Sequence, residues 1–156
     1  MSGETTAAAA RALIDRSQYL TLATADADGR PWASPVWFAH EEYAEFLWGS
    51  RPDARHSQNI DARPAVALVL FDSTVAPGDA QAVYVEAEAK QVGAAALDDA
   101  LSVYSERSVG SGLSAWSAAE VTGAAPYRLY RARPIASFIL AANDRRVPVS
   151  LSKTKR

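Results

Sequence analysis

Between Phe46 and Ile60 the chain reads FLWGSRPDARHSQNI. An apolar, strand-like run stops at Gly49. Ser50, Arg51, Arg55, His56 and Ser57 follow at once. Pro52 predicts a helix over 52–61 with Ser50 as its N-cap. A helix start exposes unpaired N–H groups and carries partial positive charge, which makes it a site for anions. Arginine can grip a phosphate with two parallel hydrogen bonds. Five donor side chains around such a start fit a dianionic phosphate. They fit equally a solvated basic helix with ordinary caps.

Trp32, Trp37, Phe38, Phe46 and Trp48 lie on two successive strand-like stretches. Aromatic residues there usually pack a core or an interface. They would also wall a flat aromatic cofactor beside a phosphate site. Other enzyme signatures are missing. No H-E-x-x-H occurs, and His40 and His56 lack metal-ligand spacing with each other. GSGLS (110–114) is not a nucleophile elbow, a Walker loop or a dinucleotide fingerprint. Asp98-Asp99 and Glu41-Glu42 read as solvated charge. No acid, base and nucleophile set assigns a catalytic residue, so any reactivity belongs to a bound cofactor.

The elements that must position these residues come from a chain of 156 residues, 49% hydrophobic and 22% charged, with a formal net charge of −2. That length favours a single domain over 1–156 with a real core. The charge balance argues against nucleic acid or a membrane surface as partner. There is no cysteine, which removes disulfides and thiolate chemistry. The N-terminus lacks a basic-then-apolar leader and no apolar run approaches bilayer length, so the expected setting is the cytoplasm.

Residues 5–18 are alanine-rich and predict a helix capped by Thr5 or Thr6. YLTLATA (19–25) alternates like a strand, DADGR (26–30) is a hairpin turn, and 31–40 is the return strand. The turn at EEY leads to a strand over 44–50. PAVALVLFD (64–72) is apolar throughout, as in a strand buried on both faces. Residues 81–92 alternate as a one-sided strand, 94–107 predict a helix, and 108–115 a loop. Residues 125–141 hold one or two strands, with a last short one within 145–151. Short strands with hairpin signals plus a few helices predict a mainly β (α+β) fold, an antiparallel barrel with peripheral helices.

The order of YLTLATADADGRPWASPVWF, EFLWGS, ARHSQNI, RPAVALVLFD and AVYVEAEA resembles the pyridoxamine 5'-phosphate oxidase-like family of FMN-binding split β-barrels. The likeness is clearest over residues 10–92. It implies a homodimer with FMN at the subunit interface. Ser50 then matches the family's phosphate-binding hydroxyl, and Arg55 and His56 its basic pair, with Ser57 in the same turn. Ser34, Pro35, Val36 and Trp37 match the backbone bordering the flavin, and Gln81 is the nearest match to a later glutamine. Three departures stand out. His56 replaces the usual lysine, Ala87 replaces a glycine, and the C-terminal arginine and tryptophan signature of the vitamin B6 salvage enzyme is not evident.

The resemblance implies an FMN-dependent oxidoreductase acting on a small molecule. Tyr104 and Arg128 are candidates for the substrate side, against ordinary core or surface contact as the commoner reading of each. F420 in the same groove is an alternative, its acidic tail drawn to Arg51, Arg131 and Arg133. A non-catalytic flavin- or haem-binding module is another.

Overall fold

The computed structural model describes residues 3–153. Helix α1 (Gly3–Arg16) turns Ala7, Ala10, Leu13 and Ile14 inward at helical spacing. It begins earlier than expected, so Thr5 and Thr6 sit within its first turns rather than capping it. Strands β1 (Tyr19–Ala25) and β2 (Pro31–Trp37) form the expected hairpin. Its turn closes because Asp26 Oδ1 accepts from the amides of Asp28 and Arg30, each at 2.9 Å, and Gly29 takes φ +85°. These amides, that of Arg30 foremost, hold the Asp26 carboxyl below its ordinary value.

The predicted return strand breaks after Trp37, and β3 (Ala39–Glu41) starts one residue later. A turn with Glu42 and Tyr43 at φ 47° and 62° then leads into β4 (Glu45–Ser50). The Tyr43 hydroxyl donates to Asp15 at 2.8 Å, which together with burial pushes the phenol up to about 12.

Helix α2 (Arg55–Ala62) precedes β5 (Ala65–Phe71), which pairs with β6 (Ala82–Gln91). Helix α3 (Ala94–Gly110) runs into the expected loop, and α4 (Ala118–Val121) carries a capping box between Ser117 and Glu120. Residues 128–141 form one long strand, β7 (Arg128–Ala141), and β8 (Arg145–Pro148) folds back on it.

The strand order is β2-β1-β5-β6-β7-β4-β3, with β8 on β7 and every pair antiparallel. The sheet's two ends, β2 and β3, are joined only by Phe38. It must therefore curl until its ends meet, giving a barrel split between β2 and β4, which pair with each other nowhere among the described residues. Inside lie Leu20, Leu22, Phe38, Trp48, Leu68 and Val85, with α1 packed among them. A second cluster outside joins Leu101 and Tyr104 of α3 to Ala39, Leu47 and Leu129.

Strand β5 corrects one expectation. Its burial alternates, with Val66, Leu68 and Leu70 inward while Ala65, Ala67 and Phe71 are exposed. It is apolar on both faces but covered on one.

Leu68 is 1% exposed on the central strand β5. Leu68→Ala should lower unfolding stability by about 2–5 kcal/mol, read as a fall in the urea midpoint. A loss below about 1 kcal/mol would mean this layer is loosely packed.

Candidate phosphate-binding site at the barrel seam

The first turn of α2 sits at the split. Its N-cap is Ala54, no side chain caps it, and its first turn carries no acidic residue. The helix therefore starts three residues later than predicted, and Ser50 is not its cap. Instead the Ser50 hydroxyl, at the end of β4, shares a 2.6 Å hydrogen bond with His56 Nε2. Arg55, one residue earlier, extends the other way and lies 4.3 Å over the Trp32 ring of β2. One helix turn thus touches both lips of the seam. The unpaired amides of that turn add their dipoles to the same spot.

Burial alone lowers the His56 pKa below the ordinary histidine value. Ser57 departs from the expectation: it is fully buried and its hydroxyl lies beside that of Tyr130, inside the barrel. Arg51 is paired with Asp53 at 3.0 Å and turns away from the others.

Two contacts fix α2, and spacing alone did not reveal them. Asn59 Nδ2 donates to Thr24 Oγ1 at 3.0 Å in the interior. The Arg63 side chain donates to the carbonyls of Asp26 and Ala27 at 2.7 and 2.9 Å. The available signal was Thr24 itself, a polar residue at an inward position of β1 that must find a partner.

Strand β2 is an edge, paired only with β1 among the described residues, so half of its main-chain groups face the seam. Val36 is buried in the core and Pro35 is exposed and has no N–H. Ser34 is half-buried, and the Trp37 ring packs edge-on against Tyr104 at 5.3 Å. For this segment the accessible chemistry is therefore backbone. Tyr104 is itself buried, which raises its phenol, and its oxygen accepts the Gly49 amide at 3.3 Å. A Cβ on Gly49 would meet that oxygen at 3.3 Å, so glycine lets β4 and α3 approach. Tyr104 thus stitches β2 to β4 rather than lining an open substrate face.

Arg128 is also spoken for, donating to the carbonyls of Gly123, Ala125 and Tyr127. Gln81 precedes β6 at the end of the β5–β6 ladder remote from α2, where it accepts from Arg16 at 3.3 Å. Three strand positions separate β6 from β2, so one chain does not bring Gln81 to the seam. Arg131 and Arg133 contact Glu45, at the other end of β4 from Ser50 and Arg51. The three arginines offered to an acidic tail are thus split between two places.

Among the described residues no group of three metal-ligating side chains occurs, and no helix is long and apolar enough to cross a membrane. The seam offers charge, hydroxyl and main-chain donors, with a half-buried imidazole, His56, among them.

Residues 6–138 match the family described as pyridoxamine 5'-phosphate oxidase. Pyridoxine/pyridoxamine 5'-phosphate oxidases from Streptomyces avermitilis and Bordetella pertussis are 28% and 30% identical over 113 and 109 residues, or 72% and 70% of this chain. Those matches cover 47% and 49% of the two relatives, so the chain spans about half their length. Among solved structures, a haem-binding protein from Mycobacterium smegmatis superposes with a TM-score of 0.73 at 18% identity, covering 96% of this chain and 58% of that one. HutZ, the haem storage protein from Vibrio cholerae, gives 0.64 at 23% identity, covering 83% and 90%. At such identities these two structures speak for the fold, an antiparallel split barrel. With the family matched over most of its length and the barrel topology in agreement, the chain belongs to the pyridoxamine 5'-phosphate oxidase-like family.

Proposed function

We propose that this chain is an FMN-binding flavoprotein, a homodimeric oxidoreductase acting on a small molecule. The observation that carries the reading is the uncapped, acid-free first turn of α2, with Ser50 and His56 joined at 2.6 Å and Arg55 beside them. Hydroxyl, imidazole, guanidinium and free amides are the donor set a phosphate monoester requires. FMN when bound supplies hydride transfer through its flavin ring. The chain's own part is to bind and orient. Arg55 gives permanent charge, Ser50 a hydroxyl, and His56 a proton that a phosphate dianion would favour. The open edge of β2 offers alternate main-chain groups along Ser34–Trp37 to a planar polar ligand.

The uncovered face of β5 supports the dimer. Ala65, Ala67 and Phe71, with Tyr19 and Ala23 of β1, form an apolar outer surface suited to a second copy. Across such an interface Gln81 would serve the second copy's cofactor rather than its own.

Two neighbours named for haem favour a second reading, a haem-binding module. His40 argues against it, with Nε2 on Asp15 at 2.9 Å and Nδ1 accepting the Tyr43 amide at 3.2 Å. His56 already spends Nε2 on Ser50. F420 is less favoured because its supposed tail arginines are engaged elsewhere.

The absorption spectrum after adding FMN, haem or F420 separates the three, and FMN retention is expected. Arg55→Ala should weaken FMN by about 1.5–3 kcal/mol, read by flavin fluorescence titration, with an unchanged circular dichroism spectrum; equal affinity would move the phosphate elsewhere.

His56 gives the pH dependence. Its pKa is lowered when free and raised beside a phosphate, so binding takes up a proton. FMN affinity should therefore rise as pH falls from 8 towards about 7, a range above the phosphate's second pKa of about 6. His56→Gln should flatten that slope, and a slope that survives would assign the proton to another group. Phe71→Glu should turn a dimer into a monomer in light scattering, and a persisting dimer would exclude the β5 face.

A further inference from the structure

A second site lies on the outer surface where β6 and β7 lose register. Glu86 pairs with Ala136 and Ala87 with Pro134, leaving Ile135 as a bulge. Pro134 has no N–H to give the ladder, which suits it to that break. Ile135 is consequently thrown outward and is 67% exposed. Beside it is a cavity of about 250 Å³ lined by Pro64, Lys90, Arg131, Arg133, Pro134 and Ile135.

Arg131 is the unusual member. Its side chain is 10% exposed, and its one carboxylate contact, to Glu45, is long at 3.5 Å. Its Nε is buried without a hydrogen-bond partner. A guanidinium held this deep on one long carboxylate contact is costly unless further negative charge reaches it. Arg133 also leans on Glu45, at 3.7 Å, and Lys90 makes no ion pair among the described residues. Glu88 borders the cavity as well. Among the residues lining the cavity, three cations face one carboxylate, Glu88. The other wall, Pro64, Pro134 and Ile135, is apolar.

We propose that this cavity binds a small amphipathic monoanion, a carboxylate carried on a compact apolar body. The carboxylate meets the part of the Arg131 guanidinium that reaches the cavity wall, since a guanidinium pairs well with a carboxylate. Lys90 adds charge from the rim, and the apolar body lies against Ile135 and the two prolines. A phosphate dianion suits the site less, because Glu45 and Glu88 repel the second charge and the apolar wall offers it nothing. The site is separate from the α2 seam and does not rest on flavin binding.

The test titrates the full chain with sodium benzoate, and separately with inorganic phosphate, while following 1H–15N amide shifts. Saturable benzoate shifts confined to the segments around Lys90, Arg131 and Ile135, with a Kd of about 1 mM or tighter, are expected. Arg131→Gln should weaken binding at least tenfold, roughly what loss of a hydrogen bond to a charged group gives. Because Arg131 is buried, Lys90→Gln and Ile135→Ala provide a check at exposed positions, each weakening benzoate about threefold or more. Saturation with FMN should leave benzoate affinity unchanged, and a chain that binds no FMN should still bind benzoate. Shifts that fail to saturate, or that persist unchanged in both exposed variants, overturn the site. Phosphate binding as tightly as benzoate overturns the amphipathic assignment, and displacement of benzoate by FMN overturns the separation of the two sites.

Discussion

Strands β2 and β3 lie at opposite ends of the paired order, and only Phe38 separates them in the chain. A link of one residue cannot cross a flat sheet of this width, since neighbouring strands lie about 4.8 Å apart. The sheet must curl, and Phe38, 1% exposed, points into the space so enclosed. The apolar alternation of every inward strand face then has one volume to fill. Helix α1 packs into that volume, and α3 takes the outer face of β3, β4 and β7. The split is the residue of the same constraint: the chain brings β2 and β4 together by connectivity, not by a ladder.

The donors suited to a phosphate gather at that split. Main-chain groups left over by the missing ladder face it from β2. Helix α2 and Tyr104 of α3 span it from two sides, one through Arg55 and His56, the other through Trp37 and Gly49. A barrel with full closure would have spent those backbone groups on itself. The seam keeps polar groups near a dry interior, where hydrogen bonds to a ligand count for more than in water.

Local signals in the sequence revealed most of the elements. Asp28-Gly29 fixed the hairpin, alternation marked β1 and β6, and the change of pattern after Gly49 marked the candidate site. What escaped depended on partners distant in sequence. Ser50 reads as a cap because a serine before a helix usually is one, whereas its real partner is a side chain on that helix. Ser57 and Val36 have the right neighbours in sequence, but their periodic phase turns them inward. The apolar run of β5 signals cover on both sides, while a single chain supplies only one. Arg128 looks free until the loop 123–127 folds over it. Each error has one form: composition tells what a residue can do, and the fold decides which group it meets.

The anchoring of α2 has a further consequence. Asn59 is fastened to β1 inside the core, and Arg63 holds the hairpin turn at two carbonyls. The helix is thus locked at its far end before anything arrives at its start. A ligand meeting that start does not have to order a loop or choose among helix positions, so little conformational entropy is lost on capture. A ligand there would still lose its own translational and rotational freedom, but none of its interaction free energy would go into placing the helix, whose start would keep the same shape before and after.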